Sequence, residues 1–146
     1  MTKKLLSIVI ANLLLIILLS GCTGKTYTYQ IKQEIDDIIK VELLRNEDAT
    51  KLKDFEFTVL YTLNEDEVES FIERLAELNC YKYFNDPAGH YGSLVIRIYY
   101  DNGDTELIGI SRTNYIKNGK SSGGSYFFGD EDMHSLFAEY IDPSML

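Results

Sequence analysis

The stretch Leu94-Val95-Ile96-Arg97-Ile98-Tyr99-Tyr100-Asp101-Asn102-Gly103-Asp104-Thr105-Glu106-Leu107-Ile108-Gly109-Ile110 decides the fold class. Leu94, Ile96, Ile98 and Tyr100 recur at every second position, the period of a strand with one buried face. Asp101-Asn102-Gly103-Asp104 then turns the chain, and Ile108 and Ile110 return. A two-residue Asn-Gly loop would set Ile98 opposite Leu107 and Ile96 opposite Gly109. A three-residue loop, Asp101-Asn102-Gly103 with Gly103 at positive φ, sets Ile96 opposite Ile108 and Leu94 opposite Ile110. Only the second register makes a continuous apolar face, and it is the one expected.

Upstream of the hairpin, Phe55, Phe57, Val59, Tyr61 and Leu63 alternate with polar residues and predict a half-buried strand. A helix follows directly. Asn64 is its expected cap, Glu67 stands where it closes a capping box, and Glu65-Asp66-Glu67 puts negative charge at the positive end of the helix dipole. Val68, Phe71, Ile72, Leu75 and Leu78 share one face of this helix, and Glu69, Glu73 and Glu77 form an acidic ridge on the other. Residues 31–45 mix helical and alternating spacing, and read as a short irregular entry followed by a strand over 38–45. A short strand is expected over 81–84 and a loop over 85–92. Downstream, strands are expected over 114–117 and 125–128 around a Gly/Ser-rich loop at 118–124. A final helix capped by Asp130 buries Met133, Leu136, Phe137, Tyr140 and Ile141 and stops before Pro143. The expected architecture is α+β: an antiparallel sheet of about five or six strands with two helices packed on it, in one domain over 31–146.

The N-terminus has a different character. Residues 1–21 contain no acid; Lys3 and Lys4 precede an apolar run over 5–19. As a helix that run covers roughly 22 Å at about 1.5 Å per residue, short of the ~30 Å hydrocarbon core, which suits a signal peptide better than a span. The run ends in Leu19-Ser20-Gly21-Cys22. This motif resembles the lipobox of bacterial lipoprotein precursors, whose four positions it matches. The resemblance implies that 1–21 is a cleaved signal peptide and that the Cys22 thiol carries a diacylglyceryl group, with acyl chains such as palmitate. Residues 22–30 would then form a short tether, holding the domain on the extracytoplasmic side of the cell membrane. Two acyl chains make such anchoring durable where one is marginal. With Cys22 consumed, Cys80 is the single remaining thiol; it cannot form an internal disulfide and is expected as a small buried apolar residue.

The chain has 146 residues, with 14 basic and 23 acidic side chains and a net charge of -9. Without residues 1–21, 12 basic side chains face 23 acidic ones, for a net charge of -11. Acidity of that size, with export, disfavours a nucleic-acid partner and favours a cationic one. Gly119-Lys120-Ser121 echoes the end of a P-loop, but position 114 is Asn where that motif needs Gly. His90 and His134 lack a second ligand at metal-site spacing. No nucleophile elbow occurs. The sequence therefore reads as a binding domain and not an enzyme, without cofactor or metal apart from the lipid expected on Cys22. The expected partner surface comprises the loop and strand-end residues His90, Tyr91, Tyr99 and Tyr126 together with the ridge Glu69, Glu73 and Glu77. A cationic peptide or an envelope protein is the expected ligand. The alternatives are an envelope hydrolase using dispersed carboxylates, or a structural subunit of a membrane complex.

Overall fold

The computed structural model describes residues 26–50, 55–82, 90–124 and 126–146. The signal peptide expected over 1–21, Cys22, and most of the loop expected over 85–92 lie outside them. The elements are β1 (Thr26–Thr28), β2 (Ile38–Asn46), β3 (Phe57–Thr62), α1 (Glu65–Glu77), β4 (Asn79–Lys82), β5 (Leu94–Tyr100), β6 (Thr105–Gly109), β7 (Thr113–Lys117), β8 (Lys120–Gly124), β9 (Tyr126–Phe128) and α2 (Asp130–Ala138). Single 3-10 turns occupy Ile35–Asp37 and Pro143–Met145.

The fold is α+β, with two antiparallel sheets. The larger has six strands in the order β3-β2-β5-β6-β7-β8 and the smaller three, β1-β4-β9. One face of the large sheet carries the main core, where Leu43, Ile96, Ile98 and Ile108 meet Phe71 and Leu75 of α1 and Met133, Leu136 and Phe137 of α2. Cys80 and Phe128 of the small sheet close the same core. The β5–β6 hairpin pairs Ile96 with Ile108, and Gly103 turns at φ +85, so the three-residue loop is the one adopted. Asn64 and Glu67 form the capping box, Glu67 reaching back to the Asn64 amide at 2.8 Å. Cys80 is fully buried, its thiol 3.0 Å from the Tyr27 carbonyl.

Four expectations are corrected. Thr26–Thr28 pairs with β4 and Tyr29 is 3 % exposed, so residues expected in the tether belong to the fold. β3 does not keep one alternating face: its register to β2 shifts from Leu43↔Tyr61 to Leu44↔Val59, leaving Leu60 as an inserted residue. That bulge sends Phe55 and Phe57 to a second cluster on the opposite face of the sheet, with Leu44, Tyr91, Val95 and Leu107, while Leu60 and Leu63 face the main core. The Gly/Ser loop at 118–124 is a two-residue Asn118-Gly119 turn followed by β8, both turn residues having positive φ. The turn chemistry overrides the poor strand propensity of Ser and Gly. Lastly, Gly129 caps α2 and Asp130 is its first residue.

One close approach fixes the second cluster. Gly109 lies under the Tyr91 backbone, and any side chain at 109 would run into the Tyr91 carbonyl, which also accepts from the Ser111 amide at 3.1 Å. Tyr91 is thereby pressed between the sheet and Phe55 and Phe57, with ring centroids 4.9 and 6.1 Å away.

Candidate functional site

Two places in the fold concentrate carboxylates, and they differ in every other respect. The first is an open groove of about 1080 Å3. The turn before β2 supplies Glu34, Ile35 and Asp36; the start of β2 supplies Ile38, Ile39 and Lys40; the end of β3 and the first turn of α1 supply Thr62, Leu63, Glu65, Val68 and Glu69. Chain geometry explains why it is open. β2 runs from Ile38, but its pairing with β3 begins only at Glu42↔Thr62, and the chain leaves after Leu63, whose amide donates to the Val41 carbonyl at 3.0 Å. Among the described residues no strand pairs with the start of β2 on that side, where its register to β5 also breaks between Ile38 and Lys40. Ile39 is 67 % and Ile35 36 % exposed, whereas Ile31 and Ile38 are partly buried against the main core.

The electrostatics of the groove are one-sided. Glu34, Asp36, Glu65 and Glu69 are exposed on its walls. Lys40 is the single basic residue lining it among the described residues, and its ammonium is already committed to Glu42 at 2.9 Å and to the Tyr99 ring at 4.1 Å. Burial opposes ionisation of Glu42, but hydrogen bonds from Lys40 and from the Tyr99 hydroxyl, the latter at 2.8 Å, outweigh it and hold its carboxyl below the usual range. The neighbouring Glu67 is likewise occupied, accepting from the Asn64 amide and from the Tyr61 hydroxyl at 3.0 Å. What remains unmatched is four surface carboxylates around two solvent-facing isoleucines.

The second place is sealed. Glu106 of β6 is fully buried, opposite Ile98 on the core-facing side of the hairpin. Its carboxylate accepts from the Tyr29 hydroxyl, from the Tyr100 hydroxyl at 2.6 Å and from the Lys32 amide at 3.1 Å. Burial first, and then the adjacent Glu106, push both the Tyr29 and the Tyr100 hydroxyls far above the ordinary tyrosine range. Two residues earlier, Asp104 accepts from the Tyr115 hydroxyl at 2.6 Å and the Asn118 amide at 3.3 Å. The Tyr115 hydrogen bond leads the effects that hold the Asp104 carboxyl below its usual range. Gln33 adds hydrogen bonds to Tyr115, Asp104 and Asn102. Together these tie residues 29–33 to the hairpin. A smaller cavity of about 230 Å3 lies beside Tyr29, Lys32, Thr113 and Tyr115, yet neither Glu106 nor Asp104 lines it or the groove.

Of the residues expected at a partner surface, Glu69 lines the groove. Glu73 is exposed on the same helix, away from it, and Glu77 is paired with Arg74, which also reaches Glu139, just past the end of α2, at 2.7 Å. The ridge is thus interrupted by its own counter-charge. Tyr91 is 2 % exposed, its hydroxyl accepting from Asn114 at 3.0 Å, so it belongs to the second cluster and not to a surface. Tyr99 is half-buried between Lys40, Glu42 and Arg97, and His90 is half-buried beside Tyr91. Tyr126 sits in the other sheet, edge-on to Tyr27 and Tyr29 at 6.2 and 5.9 Å. The four do not converge. His134 lies 3.9 Å from Asp130 on α2, and no cluster of metal-ligating side chains occurs among the described residues. No helix among those residues is long and apolar enough to cross a membrane. Compared with family models, with curated proteins and with solved structures, the chain matches none.

Sequence reasoning missed Glu34, Asp36, Ile35 and Ile39 as a site because the mixed spacing of 31–45 hid which isoleucines stay outside. Glu106 had a signal: the hairpin register itself puts an acid opposite Ile98.

Proposed function

We propose that this protein is a non-catalytic binding domain, lipid-anchored through Cys22 on the extracytoplasmic side of the cell membrane, that captures a cationic and partly apolar peptide or protein segment. The observation that carries the reading is the groove: Glu34, Asp36, Glu65 and Glu69 around exposed Ile35 and Ile39, with Lys40 already paired to Glu42. Exposed ion pairs contribute roughly 0.2–1 kcal/mol each, and covering a half-exposed isoleucine about 1–2 kcal/mol, so charge and apolar contact support each other at similar weight. The lipobox supports the anchoring part of the reading, and a domain this acidic beside anionic lipid headgroups is biased to face outward.

Binding of a lysine- and valine-containing peptide to the full-length protein in detergent, followed by calorimetry, tests the groove. Affinity is expected to fall at least tenfold between low salt and about 0.5 M salt as exposed charges are screened. Salt-independent binding, or none, would remove the reading. Cys22→Ala separately tests the anchor: it is expected to abolish incorporation of labelled fatty acid and to leave the precursor unprocessed, and normal processing of the variant would refute lipidation.

A further inference from the structure

We infer that the β1-β4-β9 sheet is the membrane-facing end of the domain, standing with Thr26, Lys82 and Tyr126 among anionic lipid headgroups. This rests on the lipid anchor proposed above and adds which side the domain turns to the bilayer. The first reason is reach. β1 begins at Thr26 and pairs with β4 from Thr26↔Tyr81, so only Thr23-Gly24-Lys25 separate the folded domain from Cys22. Four residue steps span at most about 14 Å when fully extended. Thr26 is thereby kept near the headgroup layer, and so is whatever stands in register with it. Tyr81 and Phe127 share its row across the sheet, and Lys82 and Tyr126 form the next row toward the end where the chain enters.

The second reason is charge. Residues 22–33, 78–85 and 107–129 hold none of the 23 acidic side chains, yet they carry six of the 12 basic ones that follow residue 21. Each of the three stretches contributes one strand to this sheet. The fold thus gathers acid-free segments from distant parts of the chain at the end of the domain that the anchor holds. Lys82 and Lys32 are exposed there, their ammoniums 5.9 Å from the Tyr126 ring and 5.7 Å from the Tyr29 ring, and those two rings meet edge-on at 5.9 Å. Neither lysine is in an ion pair among the described residues. An anionic leaflet attracts such cations and repels carboxylates, which is the sorting seen along this chain. The third reason is the surface itself. Cys80 and Phe128 point into the main core, so Tyr81 and Phe127 beside them point out of it, half-buried and stacked with ring centroids 5.2 Å apart. Tyrosine and lysine suit a bilayer interface, the ring at headgroup depth and the ammonium reaching for phosphate.

The chain contains no tryptophan, so a single introduced one reports its own surroundings. Protein expressed from the full-length gene is purified from membranes, weighed by mass spectrometry to read acylation of Cys22, and reconstituted into vesicles whose lipids are brominated high on the acyl chains. In phosphatidylcholine with about one third phosphatidylglycerol, Phe127→Trp and Tyr81→Trp are expected to be quenched at least about threefold more strongly than Val59→Trp, a reporter on the exposed part of β3. In phosphatidylcholine alone that ratio is expected to fall by at least about half. If Cys22 is acylated and both reporters on the small sheet are quenched no more than Val59→Trp, the membrane-facing assignment is overturned while the anchor stands. An unchanged ratio without phosphatidylglycerol overturns the choice of anionic headgroups. If Cys22 carries no lipid, the anchor falls and the assignment with it.

Discussion

The groove and the Glu106 cluster hold the same chemical group in opposite settings. In the groove, four carboxylates from Glu34, Asp36, Glu65 and Glu69 stay in water beside exposed isoleucines. In the cluster, Glu106 is taken fully out of water and met by two hydroxyls and an amide. A buried acid without partners costs several kcal/mol, so its environment must be built around it and then has no spare valence for a ligand. A solvated acid costs nothing to keep and is free to pair. The difference separates architecture from recognition: the sealed carboxylate organises the fold, and the open ones are available to a partner. The two are also joined, because the strap over residues 29–33 that Glu106 and Asp104 hold runs directly into Glu34–Asp36 at the groove rim.

Breaking the sealed side has the largest expected effect. Glu106→Ala leaves the Tyr29 and Tyr100 hydroxyls without their acceptor, and an unsatisfied buried donor costs about 1–3 kcal/mol. With the cavity left by the side chain, a loss of about 3–5 kcal/mol in urea unfolding is expected, and less than about 1 kcal/mol would show that the cluster does not organise the fold.

Alkaline titration sharpens the same point without mutation. The folded-state pKa values of Tyr29 and Tyr100 are raised by burial and by Glu106, whereas an unfolded tyrosine ionises near 10. Below about pH 10 both states are protonated and the contribution is intact; above it the unfolded chain loses its protons first, and stability falls as pH rises. Tyrosinate absorbance should therefore stay incomplete while the protein is folded, with Tyr29 and Tyr100 ionising only as it unfolds. A single smooth titration of a protein that stays folded would contradict the burial of the cluster.

The smallest expected effect on stability belongs to the open side. Neutralising the rim with Glu34→Gln, Asp36→Asn, Glu65→Gln and Glu69→Gln together should weaken a cationic peptide at least tenfold, about 1.4 kcal/mol, while unfolding shifts by no more than about 1 kcal/mol. Glu73→Gln, on the same helix but outside the groove, should change neither binding nor stability by more than about 0.5 kcal/mol. Equal losses from Glu73→Gln and from the rim would mean that net charge, and not the groove, attracts the ligand.

Local signals were legible wherever neighbours in sequence are neighbours in space. The hairpin register followed from keeping Leu94, Ile96 and Ile98 on one face with Ile108, and α1 followed from its cap and its apolar period. The same register already placed Glu106 against the core. Legibility failed where a local rule met a longer-range one. The Asn118-Gly119 turn drew the Ser and Gly of β8 into the sheet, and the bulge at Leu60 split an even alternation between two clusters.

By itself, then, the sequence determined the α+β class, the strand register of the central hairpin, the capped helix and the acidic balance, because these rest on periodicity, turn chemistry and composition within a few residues. Only the tertiary structure decided that Tyr91 is buried, that Arg74 cancels the end of the acidic ridge, and that Tyr29 meets Glu106 across 77 positions of chain. It alone also brought Glu34 and Asp36 beside Glu65 and Glu69 around the start of β2. The physical reason is the same in each case: a site made by packing distant segments is specified by which surfaces cover one another, and no local pattern encodes what is left uncovered.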